Sequence, residues 1–409
     1  MLGLRLNPRV ISATNLAPVM DEMARTGAAG HGVRRMITKA EFLAVALERL
    51  ARVQANVLKQ EMLAAGGDAA VCRGICSEEA AETNVLLVGS RRQFADLLAR
   101  LAEEPFDLAA VAAEIHHALD AHARRRFTIR IGRRQLAVGP RCALVGVVNV
   151  TPDSFSDGGR FLDPQTAVRH GRRLAAAGAD ILDIGGESTR PGADPVPEEE
   201  ELARVLPVIR ALAAEADVPL SIDTRHARVA REALAAGASL VNDVTGLTGD
   251  PLMARTVAET DAGLVVMHIL GDPRTMQQDP RYENLMADIC RFLRRGITAA
   301  REAGVAEDRI IIDPGIGFGK TPGHNVAILA RLGELRSLGR PIMVGPSRKR
   351  FIGQLTGVET PAERTLGTAA ACALAVAGGA LLLRVHDVAE MRQALAVASA
   401  VTQAAEGGS

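Results

Sequence analysis

Three features of the chain predict an α/β fold built on a (β/α)8 TIM barrel preceded by a β-hairpin, with a smaller N-terminal α/β or mostly helical domain. From residue 143 onward, short apolar runs alternate with segments of helical period, eight times over in about 265 residues, the usual size of such a barrel. The runs are unbroken Val/Ile/Leu stretches, the pattern of strands buried on both faces of a parallel sheet. Before residue 130 the rhythm is different, which sets an accessory domain over 1–126 apart from a catalytic domain over 127–409.

In chain order, apolar positions recur at helical spacing over about 40–63, ending at Gly66 and Gly67. A short apolar run at 85–88 follows, then helical stretches at 92–101 and 109–122 separated by Pro105. Two alternating runs, 127–131 and 134–138, flank Gly132 and Arg133 and read as a hairpin. The eight barrel strands then end at Asn149, Gly186, Asp223, Asp243, His268, Asp313, Gly345 and Val385.

Composition narrows the function. Of 409 residues, 48 are Lys or Arg and 48 are Asp or Glu, so the net charge of zero lacks the basic excess that non-specific nucleic-acid binding needs. Aromatics make up only 2% of the chain, too few for a base-stacking platform. Five scattered cysteines, Cys72, Cys76, Cys142, Cys290 and Cys372, do not form a disulfide framework, and the redox setting reads as cytoplasmic. Residues 1–16 show no secretory pattern, and the longest apolar run, 369–383, is broken by Gly378 and Gly379, so no membrane span is expected. Cys72 and Cys76, even with His31, His116, His117 and His122, fit no standard zinc spacing. The expected partners are small molecules.

In a barrel of this kind the loops after the strands converge on one face, so residues far apart in sequence share one mouth. Here that face collects Asn149, Asp153 and Asp157; Glu187, Thr189 and Arg190; Asp223; Asn242 and Asp243; His268; Asp313; Ser347, Arg348 and Lys349; and Arg384 and His386. Arg190, Arg348, Lys349, Arg384 and His386 supply cations for a phosphate or diphosphate. Asp223, Asn242 and Asp313 suit the N–H-rich edge of a guanidine-like heterocycle, and equally a hard cation such as Mg²⁺ or a sugar. The run DPGIGFGK at 313–320 has neither Walker A nor dinucleotide-loop spacing and reads as a strand-to-helix loop whose glycines let backbone approach a bound ring.

At these residues the chain resembles the dihydropteroate synthase family over about 127–401. The resemblance rests on NVTPDSFSDGG at 149–159, GGESTRPG at 185–192, SIDT at 221–224, NDV at 242–244, MH at 267–268, TMQ at 275–277, the 313–320 run, SRK at 347–349 and RVH at 384–386. It implies a homodimeric barrel enzyme that joins 6-hydroxymethyl-7,8-dihydropterin diphosphate to 4-aminobenzoate with the help of Mg²⁺. By the same resemblance, Asp223, Asn242, Met267, Asp313, Phe318 and Lys349 hold the pterin, and Asn149 ligates the metal on the diphosphate. Arg190, Arg384 and His386 neutralise that diphosphate, Phe155, Pro191 and Arg350 line the aminobenzoate slot, and Asp157, Thr189, Arg190 and Lys349 assist the chemistry. Arg350 stands where many family members carry a Ser, which places a cation at the aminobenzoate carboxylate. Two other readings remain: a pterin-dependent methyltransferase, which needs no diphosphate site, and a silent paralogue whose N-terminal domain does the work.

Overall fold

The computed structural model describes residues 9, 16–27, 29–72, 81–139, 141–151, 164–188, 195–272 and 274–406. The chain divides into two compact units, 1–120 with 401–409, and 121–400.

The first unit is an α/β module. Strands β1 (Phe42–Ala51), β2 (Asp68–Ala70) and β3 (Glu82–Ser90) form an antiparallel sheet in the order β1-β3-β2. The helical reading of 40–63 is therefore wrong in its first half. Leu43, Leu47 and Leu50 are spaced by four and three and so mimic a helix, but Leu43, Val45 and Leu47 face the core while Phe42, Ala44 and Ala46 face solvent, the period of a strand. A helix does begin at Arg52, and over Arg52–Ala64 it buries Ala55, Leu58 and Met62. The run at 85–88 lies within β3, where Val85 and Leu87 are buried. Ser90 caps the next helix, Arg91–Leu101: its Oγ accepts from the Gln93 amide at 3.4 Å, while Gln93 Oε1 accepts from the Ser90 amide at 2.7 Å. The helix Leu108–Ala123 follows.

The second unit opens with the hairpin of β4 (Phe127–Ile131) and β5 (Arg134–Val138), turning through Gly132 at φ +60°. The barrel strands are β6 (Ala143–Asn149), β7 (Ile181–Gly185), β8 (Leu220–Asp223), β9 (Leu240–Asp243), β10 (Gly263–Met267), β11 (Ile310–Asp313), β12 (Met343–Val344) and β13 (Leu382–Val385). They pair in parallel in the order β11-β10-β9-β8-β7-β6-β13-β12, and a parallel bridge between Ile312 and Ile342 joins the two ends. Every strand ends within one residue of the position expected from the sequence.

The hairpin is a plug. Ile129, Ile131 and Val138 pack with Ala143, Val145, Ile181, Leu240, Val265, Ile311, Met343 and Leu382, which lie toward the strand starts. The barrel bottom is thus closed by apolar side chains, and polar side chains collect at the opposite end. Between strands and helices lies a larger apolar layer running from Leu144 to Leu395. Because Ile131 is buried in the plug, Ile131→Ala is expected to destabilise the barrel by about 2–4 kcal/mol, measured as a lowered urea midpoint. An unchanged midpoint would mean that the hairpin contributes nothing to closing the barrel.

Candidate active site

Strand register aligns the mouth. Asn149 pairs with Gly185, Gly185 with Asp223, and Asp223 with Asn242, so the ends of β6 to β9 lie in one layer, while Met267 on β10 pairs with Asp313 on β11. Since side chains alternate along a strand, Asp183, two residues before the end of β7, points to the same side as Gly185.

Arg384 on β13 reaches between two carboxylates at the centre of this layer. Its Nε donates to Asp183 Oδ2 and its Nη2 to Asp223 Oδ2, both at 2.6 Å. Asn242 Nδ2 donates to the same Asp183 oxygen at 3.1 Å. Asp183, Asp223 and Asn242 are all buried. Burial raises the pKa of Asp223, and Arg384 offsets that rise only in part. Burial alone would lower the pKa of Arg384, but Asp183 and Asp223 outweigh it and drive the guanidinium above its ordinary value. Three buried acceptors in this group, Asp183 Oδ1, Asp223 Oδ1 and Asn242 Oδ1, have no hydrogen-bond partner. A ligand edge rich in N–H donors is the chemical complement of the two nearest the strand ends, Asp223 Oδ1 and Asn242 Oδ1.

The opposite wall is Asp313, Met267, Phe318 and Lys349. Asp313 Oδ1 accepts from the Gly315 amide at 2.6 Å, and burial pushes its carboxyl up to about 6 despite that bond and the nearby Lys349 and Lys320. Met267 and Phe318 pack with Val244, Ile269 and Met276. Lys349 Nζ sits 4.2 Å from the centre of the Phe318 ring, a cation–π contact. Gly315, Gly317 and Gly319 all adopt positive φ, and Gly317 leaves room for the Lys349 side chain. A Cβ on Gly315 would collide with the His268 carbonyl oxygen and one on Gly319 with Leu270, so the loop threads against the chain after β10 instead of simply yielding to a ligand. Gln277 Nε2 and Tyr282 Oη fasten the same loop through the carbonyls of Gly317 and Gly319, at 2.6 and 2.7 Å.

Behind that wall His268, expected at the mouth, is paired with Lys320. Buried Lys320 bonds the Phe318 carbonyl oxygen and His268 Nδ1, both at 2.9 Å. Burial, with Lys320 beside it, lowers His268 to about 2, so His268 is a neutral acceptor; burial brings Lys320 down to about 7. His268 supports the loop and belongs to the structure of the wall.

Two other expected site members are likewise structural. Asp243 is spent on its own turn, accepting from the Thr245 amide and hydroxyl at 2.8 and 2.6 Å and from the Leu247 amide at 2.8 Å. Arg348 is not offered to an anion: its guanidinium holds the Asp387 carboxylate, with Nε to Oδ2 at 3.0 Å, and the residue sits at φ +59°. Ser347 Oγ accepts from the His386 amide at 3.2 Å and lies 3.0 Å from His386 Nδ1, which fixes that ring at the rim. Asn149 ends β6 half-buried, and Arg350 is exposed at the start of the helix Arg350–Thr356. Asp153, Phe155, Asp157, Thr189, Arg190 and Pro191 lie outside the described residues, as does Cys76.

Sequence reading also missed Asp183 and Glu201. Asp183 had a signal, a lone carboxylate inside an otherwise apolar strand. Glu201 had none, because its helix Glu198–Glu215 opens with four acidic residues that look like a solvated helix start. Side-chain atoms of Glu187, Glu201 and His226 lie within 4.8 Å of one another, but Arg225 already pairs both oxygens of Glu187 through Nε and Nη2, at 3.0 and 2.9 Å. Burial pushes Glu201 up to about 8, with Thr224 and Arg225 drawing it partway back. Its ordinary value is 4.5, so the folded state holds the extra proton; the associated stability is full below about pH 4.5 and is lost as pH rises through about 8. Glu201→Gln is therefore expected to be the more stable protein at pH 9, by about 1–2 kcal/mol, with the gap closing toward pH 5 in parallel denaturant titrations. A gap independent of pH would show that Glu201 does not carry this proton.

A (β/α)8 barrel with a donor-seeking pocket at the strand ends defines the class, and the chain belongs to the family described as pterin binding enzyme, which it matches over residues 145–386. Within that family it is similar to dihydropteroate synthases. It is 47% identical over 271 residues to the dihydropteroate synthase of Synechocystis sp., covering 66% of this chain and 94% of that protein. A dihydropteroate synthase of Xanthomonas albilineans solved with 4-aminobenzoic acid is 49% identical with a TM-score of 0.63, covering 68% of this chain and 98% of that one. A Halobacterium salinarum protein described as a probable bifunctional folylpolyglutamate synthase/dihydropteroate synthase is 40% identical over 392 residues. That match covers 96% of this chain, so it takes in residues of the N-terminal unit, and 47% of the longer protein.

Proposed function

We propose that the chain is a dihydropteroate synthase, joining 6-hydroxymethyl-7,8-dihydropterin diphosphate to 4-aminobenzoate and releasing diphosphate. The observation that carries this reading is the pair of buried, unmatched acceptors on Asp223 and Asn242, faced by Asp313 and the Lys349–Phe318 pair. A pterin presents amino and ring N–H groups along one edge and a flat apolar face, which suit those acceptors and the Met267 and Phe318 wall.

In the reaction the bond from the pterin's exocyclic methylene to oxygen breaks with its electron pair leaving on diphosphate. The amine nitrogen of 4-aminobenzoate then bonds that methylene and loses a proton. An electron-rich dihydropterin bears the charge that develops at the methylene, so the weak amine needs mainly to be positioned. Lys349 steadies the pterin at the ring face, and Arg190 and His386 meet the diphosphate, whereas Arg384, expected there as well, is committed to Asp183 and Asp223. The family resemblance assigns Phe155, Pro191 and Arg350 to the aminobenzoate, and Asp157 and Thr189 to the chemistry. The side-chain oxygen of Asn149, half-buried at a strand end, is a hard donor of the kind Mg²⁺ takes when phosphates supply most of its other ligands. Mg²⁺ held there would add positive charge to the leaving group. The needs of the diphosphate distinguish this reading from methyl transfer.

Release of diphosphate from the pterin substrate, 4-aminobenzoate and Mg²⁺ tests the activity. Asp223→Ala and Lys349→Ala are each expected to lower kcat/KM for the pterin substrate by about 100-fold or more. Full activity in either variant would refute the pocket assignment.

No helix among the described residues is long and apolar enough to cross a membrane. The scattered cysteines of the sequence support our proposal of a cytoplasmic enzyme. We also propose a homodimer. Leu366 and Leu374 on the helix Thr365–Ala377 are 86% and 63% exposed, and Val397 on the helix Val388–Glu406 is 67% exposed. Apolar side chains left this open to solvent favour self-association. Leu366→Glu is expected to halve the mass seen by light scattering; an unchanged mass would place the contact elsewhere.

A further inference from the structure

Asp183 is the least expected residue of the mouth. It stands inside β7 between Leu182 and Ile184, both 0% exposed, and is itself 1% exposed. Burying a carboxylate there is costly unless donors meet it, and two do, both on Oδ2: Arg384 Nε at 2.6 Å and Asn242 Nδ2 at 3.1 Å.

The second bond has a consequence for Asn242. A side-chain amide can present its oxygen or its NH2 in either of two directions, and its neighbours decide which. A carboxylate paired with a guanidinium only accepts hydrogen bonds, so the amide must turn its NH2 toward Asp183. That leaves Asn242 Oδ1 as the atom without a protein partner, an acceptor with nothing in the chain to accept from.

We propose that Asp183 is a positioning residue for the pterin: by holding the Asn242 amide in one of its two orientations, it fixes an acceptor toward the ligand and so makes the pocket select an N–H donor at that point. This rests on the pterin pocket proposed above. Asp183 acts through Asn242, and what it must supply is an acceptor atom. Its charge is secondary, because the oxygen of an asparagine at 183 can receive the same two N–H groups from Arg384 and Asn242.

The test compares Asp183→Leu, Asp183→Asn and Asn242→Ala for diphosphate release, with KM measured separately for 6-hydroxymethyl-7,8-dihydropterin diphosphate and for 4-aminobenzoate. Asp183→Leu keeps the branched shape, with bulkier methyl groups in place of the oxygens, but removes the acceptor. It is expected to raise KM for the pterin substrate about 10- to 100-fold, with KM for 4-aminobenzoate within about twofold and kcat within about fivefold of wild type. Asp183→Asn is expected to stay within about fivefold of wild type for the pterin substrate. Should Asp183→Asn fall as far as Asp183→Leu, the charge on Arg384 would be what matters and the inference is overturned; an unchanged Asp183→Leu overturns it as well.

The two proposals fail differently. If Asn242→Ala leaves the pterin KM untouched, the pocket itself is misplaced. If Asn242→Ala raises that KM while Asp183→Leu does not, only the role of Asp183 falls. Where Asp183→Leu does not fold, hydrogen exchange of the Asn242 side-chain amide in protein labelled with ¹⁵N-asparagine decides the matter. Amide protons held by residue 183 are protected before any pterin is added, in the wild type and in Asp183→Asn alike. Protection that appears only on adding the pterin substrate would mean that the NH2 faces the ligand, which contradicts the inference.

Discussion

A half-buried guanidinium between two buried carboxylates organises the mouth of this barrel. Arg384 from β13 bonds Asp183 on β7 and Asp223 on β8, and Asp183 in turn bonds Asn242 on β9. None of these groups tolerates burial alone, and each is made tolerable by the others. The network thereby ties four strand ends into one rigid layer and leaves a set of acceptors aimed at whatever enters. With both carboxylates ionised the triad carries one net negative charge, which a neutral but donor-rich ring edge can face without bringing a counterion of its own.

The same strands perform opposite tasks at their two ends. In four residues β8 runs from Leu220, in the apolar layer between strands and helices, to Asp223 at the mouth, and β9 runs from Leu240 in the plug cluster to Asn242 and Asp243. The hairpin at the bottom excludes water from one end with Ile129, Ile131 and Val138, so the polar layer sits above a dry floor where its hydrogen bonds are strong. On the far wall the glycine loop and the Lys320–His268 pair hold Phe318 and Lys349 near Asp313. The site is therefore built from rigid strand ends on one side and a braced loop on the other, and a flat ring can be held between them.

Much of this was legible in the chain because it depends on local pattern. The hairpin, the eight barrel strands and their ends follow from apolar runs, a Gly turn and helical period. The reading failed where one local pattern serves two structures. Leu43, Leu47 and Leu50 fit a helix face as well as the inner face of β1 allows, and only pairing with β3 makes the segment a strand. It also failed where a side chain's partner is distant in sequence. Asp387 claims Arg348, Thr245 and Leu247 claim Asp243, and the His268 carbonyl crowds the glycine loop. Each of these residues has the right chemistry for a ligand and is committed to the protein instead.

The order of strands, the barrel class and the collection of Asp, Asn, Arg and Lys at one mouth were determined by the sequence alone, because periodicity and the convergence of strand ends are properties of neighbours along the chain. Which of those polar groups face the ligand, which brace the wall, and which way the Asn242 amide points were decided only by the tertiary structure. The reason is physical: a buried polar atom is assigned by the donors and acceptors within about 3 Å of it. Those atoms come from strands as far apart as residues 183 and 384.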